Sequence, residues 1–154
     1  MESASPSRVL IVAHQTAATQ ALLDAVRERA ARGPSTFTLL VPAAVHGLQR
    51  LDPEDPGQPD VDAAQAVLDR ALPLLADAAA PAPVDGMIGA PVALTAVMDA
   101  INARGFDEVI VSTLPRHLSR WLRLDLPHKI GGLGLPVTTV TARSGTREGA
   151  VPAT

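Results

Sequence analysis

The chain has 154 residues, 47% hydrophobic and 19% charged, a size and balance that fit one globular domain with a sizeable core rather than a disordered polymer. A formal net charge of −3 and an aromatic set confined to Phe37, Phe106 and Trp121 argue against a dedicated nucleic-acid binder with a base-stacking platform. The absence of cysteine excludes disulfides, thiol nucleophiles and thiolate metal sites, and His14, His46, His117 and His128 are spread too widely for a recognisable zinc spacing.

Residues 1–7 read as a flexible polar tail, and the opening MESASPSR lacks the basic region and long apolar run of a signal peptide. No apolar stretch approaches the roughly 20 residues that cross a bilayer, so the expectation is a soluble, cytoplasmic protein with no membrane partner. Residues 8–13 (RVLIVA) form a continuous, β-branched apolar run, the pattern of a strand buried on both faces. Over 16–32, Leu22, Leu23, Val26 and Ala30 recur at helical spacing, and Gly33-Pro34 stops the helix. Residues 36–41 (TFTLLV) give a second strand closed by Pro42.

A long connection over 44–60 holds three prolines and two glycines. Asp60 or Asp62 then caps a second helix whose inward face is Ala64, Val67, Leu68, Ala71, Leu72 and Leu75. Pro73 lies inside that pattern and is expected to kink or shorten it. A short third strand follows near 84–88. Pro91 suits the first turn of a third helix, with Leu94, Val97, Met98 and Ile101 inward and Gly105 ending it. Residues 106–113 (FDEVIVST) and 136–142 (PVTTVTA) are the fourth and fifth strands, and 143–154 is a second flexible tail.

Strands alternating with helices over about 140 residues predict one α/β domain, 8–142, built on an open parallel sheet with right-handed crossovers. Ligands in such sheets bind beyond the carboxyl ends of the strands where the winding reverses, which directs attention to 13–17, 41–50 and 112–128. These loops lack the defining residues of several enzyme classes. There is no glycine between Met1 and Arg32, no carboxylate cluster after the first strand, no GK[ST] loop before the single lysine, Lys129, and no GxSxG elbow.

Other residues in these loops support two readings each. His14 and Thr16 follow the first strand; His14 contacts a ligand or acts as a base, or it satisfies hydrogen bonds at the sheet edge. Ser112 and Thr113 bind a ligand oxygen, or bond the free amides of the following turn. The segment LPRHLSRWLRLDLPHK carries Arg116, His117, Arg120, Arg123, His128 and Lys129 against one acid, Asp125. If helical, it aligns Arg116, Arg120 and Arg123 on one face. That face is an anion site of guanidinium forks, or a solvated arginine face around a packed Trp121. Asp125 before Leu126-Pro127 reads as the N-cap of the last helix, and with Thr16 it is also a candidate ligand-binding residue. A small hydrolase or transferase using His14 or His128 as base has no nucleophile or oxyanion motif beside either histidine.

These segments together resemble the universal stress protein family. RVLIVAHQTAATQALLDAV is similar to that family's first strand, loop and first helix, and FTLLVP to its second strand. GAPVALTAVMDAINARGFDEVIVST is similar to its Gly-x-Pro, third helix and fourth strand, and LPVTTV to its fifth strand, so the resemblance covers about residues 8–142. It implies an α/β fold with helices on both faces of a five-stranded parallel sheet of order 3-2-1-4-5 (the adenine-nucleotide alpha-hydrolase-like architecture). It also implies a homodimer through the last strand. In members that bind ATP, adenine lies near the ends of strands one and two, at positions matching Ala13, His14 and Val41. Their phosphates and ribose lie in a Gly-x-x-Gly, nine residues, Gly-Ser/Thr loop after strand four. Here His14 replaces the usual acid, and no glycine occurs from Phe106 to Ile130. Side chains where glycines belong obstruct the approach of backbone amides to a phosphate. The resulting expectation is a non-enzymatic regulatory or ligand-sensing domain without cofactor or ordinary ATP binding. The alternative is a binder of a nucleotide or other phosphorylated ligand through Arg116, Arg120 and Ser112, with His14 nearby.

Overall fold

A computed structural model describes residues 6–13, 17–43, 61–90, 93–113, 132 and 134–141; for Ala93, Leu94 and Thr113 it describes the main chain alone. In chain order the elements are β1 (Ser7–Val12), α1 (Gln20–Ala31), β2 (Ser35–Pro42), α2 (Val61–Ala79), β3 (Val84–Gly89), α3 (Ala93–Arg104), β4 (Glu108–Thr113) and β5 (Val137–Thr141). All five strands pair in parallel in one sheet of order β3-β2-β1-β4-β5. This is the expected α/β architecture and strand order.

The apolar run of β1 explains its central place. Val9, Leu10, Ile11 and Val12 are all fully buried, and successive side chains enter opposite cores. Val9, Ile11 and Ala13 pack with Leu22 and Val26 of α1 and with Val67, Leu68 and Leu75 of α2. Leu10 and Val12 pack with Leu40, Val97 and Ala100 on the other face, under α3. Helices therefore cover both faces. Each large apolar side chain removed from water in this way contributes about 1.5–3 kcal/mol.

Two glycines set how closely the helices approach β3. A Cβ at Gly86 would lie 2.6 Å from Leu68 Cδ2 of α2, and one at Gly89 would lie 2.6 Å from Ala96 Cβ of α3 and 2.8 Å from Leu40 Cδ1. The missing side chains are thus the space into which α2 and α3 pack, one on each face.

Several expected boundaries move. α1 begins at Gln20, not at residue 16, because Thr19 is extended (φ −76°, ψ 154°) and its Oγ1 accepts the Leu22 N–H at 3.4 Å as an N-cap. α2 is not cut at Pro73. The proline and Asp69 four residues earlier are exposed, so the carbonyl left without a donor faces water, while buried positions continue to Ala78 and Ala79. In α3 the expected inward Met98 is 40% exposed, and Ala96, Val97 and Ala100 take the buried positions. The close contact at Gly89 demands small residues there, and hydropathy alone ranks methionine above alanine.

β4 begins at Glu108 rather than Phe106. Asp107 intervenes, its N–H donating to the Arg8 carbonyl at 2.7 Å and its Oδ2 accepting the Arg8 N–H at 2.8 Å. β1 takes in Ser7 from the expected tail, β5 begins at Val137 rather than Pro136, and Ala142 lies outside the described residues. As anticipated, Gly105 ends α3; its φ of +77° suits glycine, and its N–H reaches the Ile101 carbonyl at 2.8 Å. Among the described residues no helix is long and apolar enough to cross a membrane. The connection over 44–60, Pro91 and the helix expected from Asp125 lie outside the described residues.

Candidate functional site

The topology selects one edge of the sheet. From β1 the chain runs through α1 to β2 and through α2 to β3, with both helices on one face; α3 then crosses on the opposite face to β4, on the far side of β1. The winding reverses between β1 and β4, and the crevice of such a sheet opens beyond the carboxyl ends of those strands. The last paired residues there are Val12 and Val111, followed by Ala13 and Ser112.

The arrangement at this edge is built from main chain and one buried hydroxyl. Ala13 is fully buried, and its N–H donates to the Leu40 carbonyl at 3.2 Å, which ties the β1 end to β2. Ala43 N–H donates to the Gly89 carbonyl at 3.0 Å and ties β2 to β3. Ser112 is 1% exposed and sits opposite Val140 of β5. Val140 packs on the α1–α2 core, so strand alternation puts Ser112 on that face as well. Ala17 and Ala18 join the same core and bring the amino-terminal end of α1 over the strand ends. That helix end has no acidic residue in its first turn, and Thr19 caps one of its amides. The positive end of the helix dipole therefore faces the crevice without an opposing carboxylate of its own.

The predicted site residues fare differently. Val41 stands at the expected strand end, but its side chain is fully buried in the α1–α2 core, so a ligand meets only its main chain. Ser112 lies at the β1–β4 junction as the sequence predicts. Thr113 ends β4 opposite Thr141. His14, Thr16, Arg116, Arg120 and Asp125 lie outside the described residues, as does His128. Thr19 was missed as part of this edge, although a threonine just before Leu22 and Leu23 carries an N-cap signal.

Among the described residues, the cross-element ion pairs cluster at the opposite edge, at the amino ends of the strands. Arg29 of α1 donates through Nε to Glu108 Oε2 of β4 at 2.7 Å. Arg104 of α3 donates through Nη2 to Asp85 Oδ2 of β3 at 3.0 Å, and the same carboxylate accepts the Thr38 hydroxyl through Oδ1 at 2.7 Å. Phe106, 8% exposed, has the guanidinium carbons of Arg8 and Arg104 at 5.7 Å and 5.8 Å from its ring centroid. These charges hold elements together. No sequence pattern announces the Thr38–Asp85–Arg104 contact, because it depends on the β2–β3 register.

Chemically, the described edge offers main-chain groups and a helix amino terminus, which suit hydrogen bonding to a polar or anionic ligand. Among the described residues there is no group of three histidine, cysteine or acidic side chains placed to hold a metal ion.

No family model matches the sequence, and no curated protein matches it. The fold does have solved counterparts. The universal stress protein from Archaeoglobus fulgidus is similar with a TM-score of 0.55 at 11% identity, over 87% of this chain and 93% of that one. The universal stress protein from the same organism in complex with dAMP is similar with a TM-score of 0.54 at 13% identity, over 88% of this chain and 98% of that one. The chain has the universal-stress-protein fold.

Proposed function

We propose that this chain is a divergent universal-stress-protein-like domain that acts as a non-enzymatic, cytoplasmic regulatory or ligand-sensing module and does not bind ATP in that family's manner. The observation that carries this reading is a pairing of fold and sequence. The sheet has the order that opens a crevice between β1 and β4, yet the stretch following β4 has no glycine until Gly131. Without glycines, backbone amides do not wrap a triphosphate closely.

One observation favours a second reading. A universal stress protein of the same fold is seen in complex with dAMP. A nucleotide or other phosphorylated ligand is then held here by Arg116 and Arg120 through side-chain forks, with Ser112 and His14 beside it, in place of a glycine loop.

Calorimetric titration of the full chain with ATP, with and without magnesium, and with dAMP separates the two. The first reading expects no magnesium-dependent ATP binding. Micromolar ATP binding that requires magnesium overturns it, and dAMP binding without ATP binding moves the assignment to the second reading.

A further inference from the structure

We draw no further inference here: the strongest candidate, the Phe106 ring bracketed by Arg8 and Arg104 at the amino-terminal edge of the sheet, is accounted for by packing and by the Arg104–Asp85 ion pair, and nothing in the structure shows a ligand or partner that covers it.

Discussion

Arg29 of α1 and Glu108 of β4 are 79 residues apart in sequence and meet at 2.7 Å, with side chains only 12% and 18% exposed. This contact ties the last turn of α1 to the first residue of β4. Little water screens it, so removing one partner strands a desolvated charge. Glu108→Gln is expected to cost about 1.5–3 kcal/mol, the scale of a charged hydrogen bond, read as a lower urea midpoint at unchanged slope. The double substitution Arg29→Met with Glu108→Leu, which removes both charges, should recover much of that loss. A double variant no more stable than the single one would show that the pair is not what holds the two elements.

The contact between β3 and α3 makes the opposite kind of prediction, one of crowding. Gly89→Ala places a methyl group 2.6 Å from Ala96 Cβ, so a backbone has to shift. Overpacking of this sort costs about 1–3 kcal/mol. Ala96→Gly on that background should restore part of the stability even though it weakens the helix by itself. Additive effects in a double-mutant cycle would reject the proposed contact.

Assembly is predicted at the β5 edge. Among the described residues β5 is the terminal strand of the sheet, and Thr138 and Thr139 are exposed on it; a dimer through this strand is the proposal. Light scattering is expected to give twice the chain mass, and Thr139→Lys, which adds a charge to the exposed β5 surface, should shift the mass to that of a monomer. A monomer at high concentration in the unsubstituted protein rejects this interface.

For the nucleotide reading, the decisive residue is Arg120. If its guanidinium holds a phosphate, Arg120→Ala should weaken dAMP binding by about 1.5–3 kcal/mol, roughly ten- to a hundred-fold in affinity, with the urea midpoint unchanged. Equal affinity in the two proteins removes Arg120 from the site.

The sequence by itself determined the skeleton of this protein. The RVLIVA run was legible as a strand buried on both faces, because it is short, continuous and rich in β-branched residues. The period of α1 and α2 and the stop at Gly105 were equally legible, since hydrophobic spacing and glycine's freedom at positive φ are local properties. Strand order came from the family resemblance, and the topology agrees with it.

Other features depended on what lies across the gap between elements. Pro73 removes a donor wherever it stands, but here it and Asp69 are exposed, so water can satisfy the carbonyl left without a partner and α2 continues. Met98 gave way to Ala96 because Gly89 leaves room for a methyl group and no more. At the candidate site, the sequence marked Val41 and Ser112 as strand ends, but only the packing shows Val41 turned into the core and Ser112 buried beside β1. Local spacing determines which residues share a face. Tertiary contact alone decides what that face meets and how much room remains there.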